Sequence, residues 1–261
     1  MSDDKSHTAE AESPRPVALV TGGAVRLGRA IALALAEAGH DLAISYRSSR
    51  DEAVRTCQEI RDHGVLCHRV CADLSTAEGP GDVVAATRER FGRLDVVVNS
   101  AASFRSLPLS DVDASEWDDV MALNVRGPHL LVRAAADLLT ASEGSVVNIT
   151  DLSAFHPWVS YPHHSVSKAA LAHLTRVQAR AYGPAVRVNA IAPGAVLAPD
   201  DWSAGRWERR AERAALKKTG DPQDVVEAVL YLVGADFVTG QVLVVDGGRL
   251  LGPPESSEDE G

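Results

Sequence analysis

Val17-Ala18-Leu19-Val20-Thr21-Gly22-Gly23-Ala24-Val25-Arg26-Leu27-Gly28-Arg29-Ala30-Ile31-Ala32 is the stretch on which the fold is read. The apolar run before Thr21 suits a short buried strand, and the alanine-rich run after Gly28 suits a helix. Glycine in the turn between them lets the backbone pass close to a bound group. The first turn of the helix offers that group unpaired N–H donors and the positive end of a dipole. Strand, glycine-rich turn and helix in this order make a pyrophosphate site, with Gly22, Arg26, Leu27 and Gly28 as its contacts.

Outward from this unit, short β-branched runs alternate with alanine-rich helical stretches, the pattern of a parallel sheet covered on both faces. Strands are expected near 17–21, 42–46, 65–70, 94–98, 144–149, 186–191 and 241–245. Helices are expected near 26–38, 50–62, 76–91, 115–140 with a break near Gly127-Pro128, 162–181 and 222–233. The fold class is therefore α/β, a doubly wound (Rossmann-type) seven-stranded parallel sheet with helices on both faces. Residues 17–252 form one domain, between polar tails at 1–16 and 253–261 that hold too few large apolar groups to repay ordering.

The formal charge is −10, of which the two tails carry −6. A mildly acidic core without a basic cluster on a DNA-reading element speaks against nucleic acid as a partner. No apolar run reaches the ~18 residues of a membrane span, and the N-terminus lacks a signal peptide's apolar core, so a cytoplasmic protein is expected. Three cysteines, Cys57, Cys67 and Cys71, read as reduced thiols, with no metal site.

The second strand ends in Ser45-Tyr46-Arg47-Ser48-Ser49, with no acid to hold a ribose diol. Arg47 and Ser48 instead suit a 2′-phosphate, which points to NADP over NAD. Later strand ends fit the same groove: Asp73 and Leu74 after the third, Asn99, Ser100 and Ala101 after the fourth, Pro193 and Gly194 after the sixth.

Together with Asn124 in Leu-Asn-Val, Lys168 in Ser-Val-Ser-Lys-Ala-Ala and Val245-Asp-Gly-Gly248, these residues resemble the short-chain dehydrogenase/reductase family over nearly the whole ordered chain. The resemblance implies hydride transfer from a nicotinamide, a lysine that holds the ribose, and helix pairing into a homotetramer or homodimer. The general family has glycine, serine and tyrosine where this chain has Arg26, Asp151 and His164. Arg26 and Asp151 look like the pteridine reductase and dihydromonapterin reductase branch, in which Phe104 would stack on a pterin and Tyr161 would line the pocket. Arg26 would then reach both cofactor phosphate and substrate.

His164, one helical turn before Lys168, has no counterpart in that pattern. A lysine cation at that distance favours a neutral imidazole, a poor acid. The resemblance thus implies an NADPH-dependent reductase of the pteridine reductase type, with Asp151, His164, Tyr161 and Lys168 around a dihydropterin or dihydrofolate and Asn124 ordering the lysine through water. A general carbonyl or 3-oxoacyl reductase is the second reading. An NADP-binding protein with impaired catalysis and a sensing or partner role is the third. The lid segment 195–218 carries six arginines and lysines, suited either to an anionic substrate tail or to a solvated helix face.

Overall fold

The computed structural model describes residues 15–198 and 203–252. Residues 1–14 and 253–261 of the expected tails, and 199–202 of the lid segment, lie outside the described residues. Strand β1 (Val17–Thr21) is followed by α1 (Arg26–Glu37), β2 (Asp41–Tyr46), α2 (Arg50–Asp62), β3 (Cys67–Cys71), α3 (Gly79–Phe91) and β4 (Val96–Asn99). The second half runs α4 (Ala114–Met121), α5 (Gly127–Ala141), β5 (Ser145–Ile149), α6 (Pro162–Tyr182), β6 (Arg187–Pro193), α7 (Ala204–Glu208), α8 (Pro222–Gly234) and β7 (Val242–Val245).

All seven strands are parallel, in the order β3-β2-β1-β4-β5-β6-β7. The chain leaves β1 toward β2 on one side and returns to β4 on the other, which opens a crevice at the C-terminal ends of β1 and β4. Side chains of β1 alternate between the two faces. Ala18 and Val20 join Ile31, Leu35, Ile60 and Val229 under α1, α2 and α8, whereas Val17 and Leu19 join Val83, Leu131 and Leu139 under α3 and α5. Each fully buried leucine or isoleucine contributes about 1.5–3 kcal/mol, so the sheet ends that carry the site are anchored from both sides.

Two local features set backbone positions near the crevice. A Cβ on Gly28 would lie 2.3 Å from the Gly22 carbonyl oxygen, so only glycine lets α1 start this close to the turn. Between α4 and α5 the expected break is found earlier than Gly127-Pro128, as a π-type turn at Ala122–Arg126. Pro128 sits instead in the first turn of α5, directly after that π-type turn. Gly127 is needed there because a Cβ would meet the Leu74 carbonyl oxygen at 2.7 Å.

The expectation of three reduced thiols is corrected. Cys57 of α2 and Cys67 of β3 form a disulfide, their Cα atoms brought to 5.5 Å where α2 folds back on β3, a separation suited to the bond. Cys71 is the free thiol and is exposed. Among the described residues no helix is long and apolar enough to cross a membrane, and no group of His, Cys, Asp or Glu could hold a metal ion.

The Gly28 contact yields a direct test. Gly28→Ala should cost about 1–3 kcal/mol through overpacking, read as a lower Tm. Gly81→Ala in α3, where nothing lies within 4 Å of the added methyl, should leave Tm unchanged or raised. Equal behaviour of the two variants would contradict the close approach.

Candidate active site

A groove of about 540 Å³ crosses the C-terminal ends of β1, β2, β4, β5 and β6. Gly22, Arg26, Leu27, Gly28, Arg47, Ser48, Asp73, Leu74, Ser100, Ala101, Phe104, Asp151, His164, Lys168, Pro193 and Gly194 all line it, so one surface gathers most of the residues singled out in the sequence. The Thr21 hydroxyl oxygen accepts from the backbone N–H groups of Ser100 (3.0 Å) and Ala101 (3.1 Å), which locks the glycine turn to the loop after β4.

At one end Arg47 faces Asp73 at 3.7 Å, both partly exposed. Asp73 accepts from the backbone N–H (2.9 Å) and hydroxyl (2.7 Å) of Ser75 through one oxygen, Oδ1. The hydroxyl and backbone bonds from Ser75, with Arg47 beyond them, hold the carboxyl below its ordinary value against a small opposing effect of burial. A guanidinium and hydroxyls at this strand end form a cradle for a phosphate monoester, and the glycine turn can receive a pyrophosphate at the start of α1. The donor set thus fits a phosphorylated dinucleotide. Arg26 holds a backbone φ of 51°, where a side chain is strained and glycine is not. Its guanidinium donates to the Ala198 carbonyl oxygen at 3.2 Å, so it spans the groove to the lid.

Asp151, His164 and Lys168 meet at the other end. His164 is 2% exposed, beneath Trp158 (stacked, centroids 6.4 Å apart) and the edge of Phe104 (4.8 Å). Its Nδ1 lies 2.9 Å from the Ser103 carbonyl oxygen and its Nε2 lies 2.6 Å from Asp151 Oδ2. A carbonyl oxygen only accepts, so Nδ1 carries a hydrogen. The remaining proton of the pair is then shared between Nε2 and Oδ2, because a bare ring nitrogen facing an ionised carboxylate would repel it. Burial works to raise the Asp151 carboxyl, but the bond from His164, the charges of Lys168 and His164 and the bond from Ser153 outweigh it and hold it below its ordinary value of 3.8. The 2.6 Å separation thus places one proton between the ring and the carboxyl.

Lys168 is buried, and its ammonium donates to the Ile149 carbonyl oxygen at 2.8 Å. Burial pushes its pKa down and Asp151 acts against that. Asn124, in the π-type turn, does not reach the lysine. Its Oδ1 accepts from the Ser103 N–H (2.8 Å), and its Nδ2 donates to the Ser103 carbonyl oxygen (3.2 Å) and the Ser167 hydroxyl oxygen (2.9 Å). Asn124 therefore fixes the carbonyl that faces His164, and its side chain makes no direct bond to Lys168. Asn99 is not among the groove's lining residues: its side chain is buried and donates to Asn148 Oδ1 at 2.8 Å, tying β4 to β5.

Tyr161 is set apart from the groove. It lies in an adjoining cavity of about 880 Å³ and stacks on Phe104 with ring centroids 4.2 Å apart. Sequence reasoning missed Ser103, which acts through its backbone and leaves no side-chain signal, and Trp158, whose ring covers His164. An indole six residues before an unexpected histidine was the available sign.

A profile of the family described as Enoyl-(Acyl carrier protein) reductase matches residues 23–249. The chain is 37% identical over 244 residues to the protein named as ketoacyl reductase 2 of the granaticin polyketide synthase of Streptomyces violaceoruber, covering 90% of this chain and 96% of that protein. It is 30% identical over 240 residues to the 3-oxoacyl-[acyl-carrier-protein] reductase FabG of Staphylococcus epidermidis, covering 90% and 98%. Among solved structures, a blue fluorescent protein from a metagenomic library in complex with NADPH superposes with a TM-score of 0.82 at 31% identity, covering 90% of this chain and 98% of that one.

The lowered Asp151 carboxyl sets a stability slope. A carboxyl that titrates lower folded than unfolded stabilises fully above its unfolded value, about 3.9, and loses that contribution as pH falls through its folded value. Urea unfolding from about pH 5 downward should show wild type losing stability more steeply than Asp151→Asn. Parallel curves would contradict the assignment.

Proposed function

The chain belongs to the short-chain dehydrogenase/reductase family, and from that premise we propose that it reduces the ketone of an acyl-type substrate with NADPH, using the shared proton of Asp151 and His164. It is an oxidoreductase of that type. The observation that carries the proposal is the 2.6 Å bond between His164 Nε2 and Asp151 Oδ2 in the same groove as the phosphate cradle.

The nicotinamide, when bound, supplies the hydride. Arg47 and Ser48 would hold the 2′-phosphate, and the turn at Gly22–Gly28 would hold the pyrophosphate. The buried Lys168 ammonium, anchored on Ile149, would present its remaining donors to the ribose. As the ketone oxygen gains charge, the Asp151–His164 pair delivers its proton to it. The pair is left as carboxylate and neutral ring, with the Nε2 lone pair facing Oδ2, an arrangement that draws a replacement proton from water. Asn124 keeps the Ser103 carbonyl on Nδ1 throughout, so the ring loses only the proton on Nε2.

A pterin substrate has less support. The curated relatives described above are ketoacyl reductases, Tyr161 covers one face of the Phe104 ring that a pterin would stack on, and Asp151 and Arg26 have partners of their own. The impaired-catalysis reading is favoured by one feature, the near-complete enclosure of His164 with both nitrogens engaged. Val166 and Val177, exposed on one side of α6, fit the helix pairing between subunits expected from the family resemblance.

NADPH oxidation with an acetoacetyl thioester, dihydrobiopterin and dihydrofolate separates these readings. Thioester reduction alone is expected, and pterin reduction alone would overturn the proposal. Tight NADPH binding without turnover on the panel would select the impaired form. His164→Ala should lower kcat by about 10²–10⁴ with NADPH affinity retained, while Arg47→Glu should weaken NADPH and spare NADH.

A further inference from the structure

The 880 Å³ cavity beside the groove shares Arg26, Phe104, Trp158, Pro193, Gly194 and Leu197 with it. Aromatic rings of Phe104, Trp158, Tyr161 and Trp207 line it. Arg210, Arg213 and Arg249 line this cavity and not the groove that holds His164. Among the described residues no carboxylate side chain lines it.

Arg249 follows β7 and is half-buried, while Arg213 reaches the same cavity from the lid segment. Burial first, then the neighbouring charge of Arg213, pushes the Arg249 guanidinium's pKa down, and Asp246 only partly opposes this. Asp246 is already occupied: its two oxygens accept from the backbone N–H groups of Gly248 (2.7 Å) and Leu250 (2.8 Å). Among the described residues neither Arg213 nor Arg249 makes an ion pair with a carboxylate. Two like charges beside an aromatic cavity, in a chain of net charge −10, form an arrangement that an anion would relieve. Guanidinium is also the side chain best shaped for a planar or tetrahedral oxyanion.

We infer that the substrate carries an oxyanion, a carboxylate or a phosphate, at the end remote from its reacting ketone, and that Arg213 and Arg249 receive it. This inference rests on the reductase reading above. The aromatic walls then hold the apolar middle of the molecule, and the charged end sets which way round it lies against Asp151 and His164.

Four aryl ketones test this on the full chain with NADPH present: 3-benzoylpropionate and its methyl ester, phenacyl phosphate and phenacyl alcohol. Binding is followed by calorimetry and, because Trp158 and Trp207 line the cavity, by tryptophan fluorescence; NADPH oxidation is followed separately. At least one anion should bind about tenfold or more tightly than its neutral partner, and the better anion identifies carboxylate or phosphate as the source. Arg249→Gln, and independently the exposed Arg213→Gln, should remove that preference while the neutral ketones bind as before. Equal affinity within both pairs, or a preference that survives both substitutions, would overturn the inference. Oxidation of NADPH without any charge preference would leave the reductase reading standing and this inference fallen; a charge preference with no oxidation on any ketone would do the reverse, leaving the anion site and striking the reductase reading.

Discussion

The carbonyl of Ser103 can accept a hydrogen bond and cannot give one, and the acid–base character of the site follows from that asymmetry. It fixes a hydrogen on Nδ1 of His164, so Nε2 must face Asp151 across a shared proton rather than as a second bare acceptor. The carbonyl holds its position because Asn124 grips both ends of the Ser103 peptide unit, and Asn124 is placed by a π-type turn that brings it beside Ser167. A residue on one helix thus positions the acceptor that faces a ring on another.

The sheet makes these distances possible. Reversal of strand order between β2 and β4 opens the crevice, and parallel strands deliver the glycine turn, Asp73, Ser100, Asp151 and Gly194 to one edge of the sheet. The cofactor half of the groove is built from turns whose backbones sit close together, with Gly28 against Gly22 and Gly127 against Leu74. The end of the groove at Asp151 and His164 is built from side chains: Phe104 and Trp158 beside the pair, and Arg210, Arg213 and Arg249 in the adjoining cavity. Arg26 belongs to both, since it begins in the glycine turn and ends on the lid.

Much of this was legible in the sequence. Period and glycine placement gave the strands and helices to within a few residues, and most of the residues picked out at strand ends line the groove, because in a parallel sheet the C-terminal ends must coincide. Three things were hidden. Asn99 looked like a ligand contact because of where it falls in the chain, but its side chain points along the sheet to Asn148. Asn124 was recognised, yet its partner is a backbone group that no side-chain pattern announces. The substitutions Arg26 and Asp151 suggested a pterin enzyme, and the structure adds partners that the sequence did not show: Ala198 for one and His164 for the other. Their meaning depends on a third residue lying 2.6 Å away in space and thirteen positions away in sequence.

The shared proton can be seen directly. Nitrogen-15 NMR of the histidine-labelled protein near neutral pH, with His164 assigned by substitution, should show hydrogens on both ring nitrogens of His164. In Asp151→Asn the hydrogen on Nε2 should be lost while that on Nδ1 stays. A His164 ring in the wild-type protein with a bare Nδ1, or with Nε2 unprotonated while Asp151 is ionised, would contradict the account.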